Sequence, residues 1–437
     1  MVVLVLSARM FFSKKAVIAL VLFNLTLTPF TAQASGVLMY ETGTPGVGLG
    51  SAGHAARAQD ASTVYYNPAG MMLLNKSEYM FGAQAMVGYV KFQPGANMDH
   101  VTGNDGTNPI GWLPSGSFYY VQDVNARTKI GFGMFSNFGI VTPELDKWSG
   151  RYTFQGGALI GLTFMPTIAH RLNDKWSIGL ALNATKGLWR MKAAINNDVL
   201  DLGTGDGSVE VNSNAWGFGA NLGLMYQPNK KTRIGLTYYS PVLLNFAATP
   251  SYSNLGPGLE AVLRARGLYD RQIDLSTTIP QQVMLGFYRE TSPRLAIMGD
   301  VGWQNWSNFM FKQVMIDSTS PSNLYVERKG QDTWHAAVGL QYKVSPKWQL
   351  SFGVGYDTSA FSDSQRPSFA PGGGSWRFGI GATRQLNADS KLNFGYELVV
   401  ADGINVSNQY GNLAGRVEGA YTQGSLHFFT LNYQRNF

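Results

Sequence analysis

The chain has 437 residues, of which 14% are charged and 13% aromatic, and its formal net charge is +7. The absence of cysteine excludes a disulfide framework, thiol-ligated metal and cysteine redox chemistry. The charge excess is mild and contains no Lys/Arg run of the kind that binds nucleic acid, so no nucleic-acid partner is expected. With 51 glycines, few charges and a mean hydropathy near neutral, the composition indicates an outer surface that partly faces lipid.

Residues 1–34 have the organisation of a secretory signal peptide. The basic region contains Arg9, Lys14 and Lys15. The apolar run is 16–27, and the small-x-small cleavage site is 32–34. The apolar run is shorter than the roughly 20 residues of a transmembrane helix, and no later segment approaches that length. We therefore predict an exported chain, which is free in the periplasm, secreted or a β-barrel, with Ser35 as its mature N-terminus. Met10 would give a more ordinary signal length than Met1, and the choice of start stays open.

The segment 60–71 is the first distinctive motif and reads Asp-Ala-Ser-Thr-Val-Tyr-Tyr-Asn-Pro-Ala-Gly-Met. It follows a run of small residues, 43–58, and precedes the first β pattern, so it closes a compact N-terminal piece. Asn before Pro is held extended and Pro fixes φ, so Asn67, Pro68 and Ala69 predict a turn. The tripeptide alone is a common turn, whereas its context is far more specific.

Beyond residue 76 the chain alternates with period two over long stretches. In 178–185, one face carries Ile178, Leu180, Leu182 and Ala184, and the opposite face carries Gly179, Ala181, Asn183 and Thr185. In 376–383, one face carries Trp376, Phe378, Ile380 and Ala382, and the opposite face carries Arg377, Gly379, Gly381 and Thr383. Large apolar groups on one face and small or polar groups on the other are typical of a membrane β-barrel with a polar lumen. A soluble β-sandwich also alternates, but with shorter strands and more frequent turns.

Short and long connections follow one another along the chain. The short polar connections are 123–127, 173–175, 228–232, 291–294, 345–347 and 387–391; the long connections are 94–114, 190–208, 241–272, 304–322, 360–374 and 402–423. Short turns at one rim and long loops at the other are typical of an outer-membrane barrel, with the short turns periplasmic. The six short turns join twelve strands, and one further strand at each end makes fourteen. We predict an all-β, 14-stranded antiparallel transmembrane barrel.

The C-terminus supports this interpretation. Phe429, Leu431 and Tyr433 alternate before the terminal Phe437, the usual ending of an outer-membrane barrel strand. Arg435 interrupts the apolar face, where a long cation can reach the headgroup level.

Further segments, in chain order, resemble the FadL/TodX (OmpP1) family of bacterial outer-membrane channels for hydrophobic compounds. Besides 60–71 they are Ser136-Asn137-Phe138-Gly139; Leu275 with Ile279, Pro280 and Gly286; Asp300-Val301-Gly302-Trp303 with Trp306-Ser307-Asn308-Phe309; and Gly355-Tyr356-Asp357. The resemblance implies a monomeric barrel, 77–437, plugged by an N-terminal hatch, 35–76, in the outer membrane of a Gram-negative bacterium. It also implies uptake of hydrophobic compounds, with long-chain fatty acids placed first and aromatic hydrocarbons as the alternative.

The mechanism implied by the resemblance is capture between extracellular loops, transfer to a site near the mature N-terminus (Ser35 and Gly36), hatch movement and sideways exit where the third strand is kinked. The expected hatch and gating residues are Asn67, Pro68, Ala69, Ser136, Asn137, Phe138 and Gly139. The residues themselves leave two interpretations open for 136–139, a bulge or the ordinary end of a strand. In the hatch, Gly43, Gly46, Gly48, Gly50 and Gly53 permit close backbone packing.

The connection 241–272 predicts a short amphipathic helix at the mouth, from Leu259 to Gln272. Leu259, Val262, Leu263 and Arg266 share helical spacing, with Glu260 and Arg264 elsewhere on the turn. The helix either lines a capture groove or only closes its own loop. Ile195, Val199, Leu200 and Leu202 are the candidate facing wall.

A fatty-acid substrate requires a cation, because burying an unpaired carboxylate is costly. The candidates are Lys147, Arg151, Arg264 and Arg266, although loop cations also meet lipopolysaccharide phosphates. An aromatic hydrocarbon needs no cation, and the sequence does not choose between these substrates.

The five histidines, His54, His100, His170, His335 and His427, have no spacing suited to a metal site or a catalytic triad. We therefore expect no enzyme, no metal and no cofactor. The rivals are an outer-membrane lipase or protease, which requires a Ser–His or Asp–His pair at the barrel rim, and a general diffusion porin, which lacks a Gly-rich hatch.

Overall fold

The computed structural model describes residues 38–96, 103, 111–315, 324–362, 365–367, 373–401 and 403–437. Within them, fourteen antiparallel strands form one closed barrel, as the sequence predicts. They are β1 Glu78–Pro94, β2 Trp112–Asn125, β3 Thr128–Thr142, β4 Gly156–Arg171, β5 Trp176–Ile195, β6 Gly207–Asn229, β7 Thr232–Tyr239, β8 Gln282–Glu290, β9 Leu295–Gln304, β10 Thr333–Ser345, β11 Trp348–Asp357, β12 Ser375–Gln385, β13 Ser390–Ala401 and β14 Arg416–Asn436. Each strand pairs with its neighbours in the chain, and β14 closes the barrel on β1.

Shorter elements fill the long connections and the barrel interior. The short strand pairs are Val242–Leu244 with Thr277–Ile279, Ala247–Ala248 with Ile273–Asp274, and Met310–Val314 with Tyr325–Lys329; Ser251–Ser253 pairs with β6 and Ile404–Gln409 with β14. The helical segments are Pro45–Leu49, Thr63–Tyr66, Pro68–Leu73, Asn197–Val199, Pro257–Ala265, Trp306–Asn308 and Gly411–Ala414. No helix among the described residues has the length and hydropathy needed to cross a membrane.

All six predicted short turns join neighbouring barrel strands, which confirms the strand count. Their side chains hold the turns: Asn173 Oδ1 accepts hydrogen bonds from the backbone N–H groups of Lys175 and Trp176, at 2.9 and 3.0 Å. An Asn oxygen replaces a backbone acceptor in this way in many tight turns. We call this rim the short-turn end and the opposite rim the long-loop end.

The long connections differ from prediction in several places: 241–272 and 304–322 end too early, because β8 begins at Gln282 and β10 at Thr333, and 402–423 ends too late, because β14 begins at Arg416. Because β5 runs to Ile195 and β6 begins at Gly207, the predicted connection 190–208 is wrong at both bounds. Its apolar alternation continues into the upper wall, where Met191 and Ala193 are buried. The connection between β3 and β4, residues 143–155, is absent from the sequence-based set.

The faces of the wall follow the predicted alternation. Leu182 and Ile380 are 56% and 53% exposed on the outside, whereas Asn183 and Arg377 are buried inside. Phe429, Leu431 and Phe437 are likewise exposed near the C-terminus. Large apolar groups therefore surround the barrel, and small or polar groups line its lumen, as a lipid-facing wall requires.

Candidate functional site

Residues 38–74, which we call the hatch segment, lie inside the barrel. Asn67 anchors this segment through its whole side chain. Its Oδ1 accepts from the backbone N–H of Ala69 at 3.1 Å, while its Nδ2 donates to the carbonyls of Ala55 at 2.7 Å and Leu224 of β6 at 3.2 Å. Pro68 then begins the 3₁₀ helix Pro68–Leu73. The predicted turn thus ties two parts of the hatch segment to the wall.

Glycines of the wall make room for the hatch backbone. Gly179, Gly223 and Gly235 face the residues around Asn67, and Gly353 and Gly379 face Leu49 and Gly50. A Cβ atom at any of these wall positions would overlap with the hatch segment. Glycine is therefore required here by close approach, although sequence reasoning identified only the glycines of the hatch itself.

Polar side chains of the lumen satisfy the irregular hatch backbone. Asp300 of β9 accepts from the backbone N–H groups of Gly53, His54 and Ala55, the last two at 2.9 and 3.1 Å. Lys129 of β3 donates to the carbonyl of Leu74 at 2.7 Å. Buried backbone groups without regular partners need such side chains, so the polar lumen is part of the hatch interface.

Strand β3 carries a bulge at Asn137, where its register against β4 shifts between Ser136 and Phe138. The strand does not end there, because pairing with β4 continues to Thr142. The Asn137 carbonyl accepts from the N–H of Met39 at 2.8 Å, and its Nδ2 donates to the Tyr65 hydroxyl at 3.0 Å. Phe138 forms a β-bridge with Leu38. The bulge is therefore the point where the wall meets both the start of the hatch segment and its helix Thr63–Tyr66.

Pairing between β2 and β3 stops below the bulge. These strands pair from Asn125 and Thr128 as far as Phe118 and Met134. Above that level, β1 is the one barrel strand that pairs with 113–117 and β4 is the one barrel strand that pairs with 135–142, while Phe138 also bridges to Leu38 of the hatch segment. This interval in the hydrogen-bonded wall, with Leu38 and Met39 beside it, is called the wall gap below.

The lumen between the hatch segment and the long-loop end is filled by apolar side chains, which we call the apolar interior. Members include Phe92, Phe138, Trp148, Trp189, Trp306 and Phe309. Leu38 and Val47 of the hatch segment belong to the same cluster and form its floor. The rings of Phe138 and Phe309 lie 6.4 Å apart, so the apolar interior reaches the bulge.

The connection 143–155, which sequence reasoning missed, folds into this interior. Trp148 is 2% exposed, and its Nε1 donates to the carbonyl of Phe154 at 2.6 Å. The Trp148 ring meets Phe92 edge-on at 5.8 Å. Its Trp, Tyr and Phe residues were the available signal, since aromatic side chains rarely cluster in a solvated loop.

The predicted mouth helix exists but is shorter than expected. It spans Pro257–Ala265, and Gly267, with φ of 66°, follows its end. Leu259 and Leu263 are buried against the apolar interior, and Val262 is partly buried. The carboxylate of Asp201 accepts from the N–H groups at the helix start, which links this helix to the connection 196–206.

The residues of the candidate facing wall are divided between the apolar interior and the exposed surface. Ile195 is buried at the end of β5, whereas Val199, Leu200 and Leu202 are 42%, 52% and 89% exposed at the long-loop end. The structure therefore places only Ile195 in the apolar interior, and the other three form an exposed apolar patch beside Asp201.

The four candidate cations are also divided. Arg151 is buried, with Nε 2.7 Å from Asp206 Oδ2, and also donates to the Tyr152 hydroxyl at 2.8 Å. Burial and the hydrogen bond to Asp206 raise the pKa of Tyr152 to about 12, which keeps this phenol protonated. Arg264 is exposed and pairs with Glu260 at 2.8 Å, and Lys147 and Arg266 are exposed.

Sequence reasoning missed Lys312, a buried cation beside the apolar interior. Its side chain is 6% exposed, and its Nζ lies 2.9 Å from the carbonyl and 3.2 Å from Oδ2 of Asp274. Asp274 itself is exposed, so this ion pair joins the interior to the surface. Ser35 and Gly36, the predicted N-terminal ligand residues, lie outside the described residues, as does the predicted signal peptide.

A cavity of about 660 Å³ opens at the short-turn end, beneath the hatch segment. Its lining is rich in charge and includes Arg57, Asp60, Glu78, Arg233 and Arg294. This vestibule contains none of the predicted ligand-binding residues. The hatch segment separates it from the apolar interior.

Residues 25–437 match the family of outer membrane protein transport proteins OMPP1/FadL/TodX. The chain belongs to this family. The long-chain fatty acid transport protein of Escherichia coli K12 is 25% identical over 483 residues, covering 99% of this chain and 100% of that protein. Outer membrane protein P1 of Haemophilus influenzae is 27% identical over 413 residues, covering 84% of this chain and 86% of that protein.

Solved structures of the FadL/TodX family share the fold. A Pseudomonas aeruginosa FadL homologue superposes with a TM-score of 0.80 at 19% identity, covering 92% of this chain and 100% of that one. The Ralstonia pickettii toluene transporter TbuX gives a TM-score of 0.59 at 18% identity, covering 90% and 98%. Membership of this family makes the chain an outer-membrane transporter of hydrophobic compounds and not an enzyme.

The histidines of this FadL/TodX family member have structural partners. His335 Nδ1 lies 2.7 Å from Asp357, His170 Nδ1 lies 3.1 Å from Thr128, and His427 Nδ1 lies 2.9 Å from the Tyr396 hydroxyl. His54 stacks on Tyr66, and burial lowers its pKa well below the ordinary value. His100 lies outside the described residues. Within those residues, no cluster of His, Asp and Glu is arranged to hold a metal ion.

Proposed function

We propose that this channel takes up long-chain fatty acids by capture at the extracellular loops, movement of the hatch (35–76) and lateral exit through the wall gap beside the bulge. The observation that carries the proposal is the continuity of the apolar interior with the gap. The interior extends from the mouth helix to Phe138, whose backbone pairs with Leu38 at the gap. We further propose that the barrel is a monomer set in lipid and lipopolysaccharide.

The axial route is unfavourable for an apolar solute. A solute moving straight down the barrel would have to pass the hatch segment and then the charged vestibule. Each methylene transferred from an apolar environment to water costs about 0.8 kcal/mol, which adds up along an alkyl chain. The vestibule is therefore a poor exit for a long alkyl chain, although it suits water and small ions.

The lateral route keeps the solute in apolar surroundings. At the gap, 113–117 and 135–142 have no hydrogen bonds to one another, and Leu38 and Met39 lie beside them. Displacing Leu38 and Met39 breaks the backbone hydrogen bond from Met39 to Asn137 and separates Leu38 from Phe138. The outer wall beside the gap faces the hydrocarbon of the membrane, so a lipid-like solute is never transferred to water.

Capture is assigned to the exposed apolar patch of Val199, Leu200 and Leu202 and the adjacent mouth helix. Lys147 and Arg266 are exposed cations at this end, suited either to a fatty-acid carboxylate or to lipopolysaccharide phosphates. Arg151 and Lys312 lie deeper, each already paired with an aspartate. A carboxylate entering the interior would compete with Asp206 or Asp274 for these cations.

Long-chain fatty acids are placed ahead of aromatic hydrocarbons for two reasons. Full-length relatives at 25% identity are long-chain fatty acid transport proteins, and buried cations adjoin the apolar interior. An aromatic hydrocarbon would use neither Arg151 nor Lys312.

Uptake by whole cells tests the proposal. A strain lacking its own hydrophobic channels is given this protein, and uptake of oleate, toluene and a small sugar is compared with an empty-vector control. We expect oleate uptake well above the control and sugar uptake equal to it. Toluene uptake without oleate uptake would favour the aromatic alternative, and sugar uptake alone would overturn the proposal.

A further inference from the structure

A buried charge cluster joins the hatch segment to the barrel wall. Arg377 of β12 donates through Nη1 to Glu41 of the hatch segment and, at 3.1 Å, to Glu397 of β13. Its Nε donates to Asp357 of β11 at 2.5 Å. Asp357 in turn meets Nδ1 of His335 on β10. One guanidinium is thus shared by three carboxylates, of which only Glu41 belongs to the hatch segment.

The cluster contains more negative than positive charge. Its only cations are Arg377 and, when protonated, His335, set against Glu41, Asp357 and Glu397. The other titratable groups facing it are Tyr40, His54 and Tyr65 of the hatch segment and Asp300 of β9.

None of these neighbouring groups neutralises the excess negative charge of the cluster. Burial raises the pKa of Tyr40 well above its ordinary value and that of Tyr65 to about 12, and it lowers the pKa of His54 well below its ordinary value, so all three stay uncharged. Asp300 is satisfied separately by backbone N–H groups of the hatch segment. Even with His335 protonated, at least one negative charge is uncompensated.

The geometry shows where the excess lies. Glu41 and Glu397 accept from the same guanidinium nitrogen, so their carboxylates lie side by side. The second oxygen of each, Oε2, is buried without a hydrogen-bond partner. Two buried carboxylates that share a site cannot both stay ionised at low cost, whereas one proton between them supplies the missing donor.

We infer that docking of the hatch takes up one proton, which Glu41 and Glu397 share, so that proton binding holds the hatch in the wall. When Glu41 leaves the cluster, Arg377 is shared by Asp357 and Glu397 alone, and the shared proton is released. The docked state then holds more protons than the undocked state, so docking weakens as the pH rises and strengthens as it falls. The site makes the hatch a pH-sensitive part of the channel.

Spin labelling of the hatch segment at residue 39 tests this inference. Because the chain has no cysteine, Met39→Cys provides a single labelling position next to the cluster but outside it. The label's mobile fraction is measured in the purified full-length barrel, without substrate, from about pH 5 to about pH 9, a range that covers histidine and raised carboxyl titrations. We expect the ratio of mobile to immobile label to rise with pH, by at most about tenfold per unit for one linked proton.

Two amide variants locate the proton. In Glu41→Gln and in Glu397→Gln the amide supplies a permanent donor of the same shape, so the label should stay immobile with no pH dependence. Glu260→Gln, which removes an exposed loop carboxylate, is the control and should keep the wild-type slope.

Three results would overturn the inference: a flat wild-type profile, an unchanged slope in Glu41→Gln, or an unchanged slope in Glu397→Gln. Since no substrate is present, the outcome does not depend on which compound the channel carries.

Discussion

Asn67 uses every hydrogen-bonding group of its side chain inside the barrel. The oxygen caps the helix Pro68–Leu73, and the amide nitrogen joins Ala55 of the hatch to Leu224 of the wall. A side chain that does both jobs cannot be replaced by one that only starts a turn.

Substitution of Asn67 separates these two roles. Asn67→Ala removes the cap and both donated hydrogen bonds, and losing an N-cap alone costs about 0.5–2 kcal/mol. Asn67→Ser keeps a capping oxygen but not the reach to Leu224. We expect trypsin to cut the hatch of the folded barrel at Arg57 fastest in the alanine variant and at an intermediate rate in the serine variant. Equal rates in all three proteins would show that Asn67 is only a turn residue.

At the residue scale, the sequence predicted which residue types stand at structurally important positions better than it predicted which residues they contact. The turn at Asn67 follows from local rules for Asn before Pro, whereas its contact with Leu224 depends on the register of β6. The same limit applies to Arg151, whose partner Asp206 lies 55 residues away. Such pairs form only when the barrel places distant segments side by side, and no local pattern encodes that.

The bulge of β3 is the element on which the lateral route depends. Deleting Asn137 removes the extra residue, restores continuous pairing with β4 and removes the acceptor for Met39. We expect the barrel to fold and to bind oleate, while oleate uptake by cells falls at least about tenfold, as for a closed gate costing about 1.4 kcal/mol or more.

Asn137→Ala is the matched control for this deletion. It keeps the bulge and the backbone acceptor for Met39 and loses only the hydrogen bond to Tyr65. Its uptake should stay close to wild type. Normal uptake by the deletion variant would exclude the bulge as the exit.

At the element scale, strands and short turns were predictable because alternation and turn chemistry are local. The inward fold of the connection 143–155 was not predictable, because it depends on tertiary contacts. These are the packing of Trp148 against Phe92 and the hydrogen bond from Gln313 to the Thr153 carbonyl. The mouth helix was placed correctly but extended too far, because helical spacing continues past Ala265 while Gly267 adopts positive φ.

The whole molecule combines two compartments of opposite polarity. The apolar interior lies on the long-loop side of the hatch segment and the charged vestibule on the short-turn side. The bulge of β3 and the first residues of the hatch segment meet at the wall gap, through which we propose that the solute leaves. Composition anticipated the lipid-facing wall, but the division of the lumen depends on which side chains the fold brings together.

Photo-crosslinking of the cargo tests the lateral route most directly. Cells that make the wild-type protein are fed a long-chain fatty acid with a diazirine near its methyl end and are irradiated during uptake, and adducts are mapped by mass spectrometry. Our account predicts adducts in the apolar interior and on both flanks of the gap, 113–117 and 135–142. Adducts on vestibule residues such as Leu73 and Tyr288, with both flanks unlabelled, would contradict it.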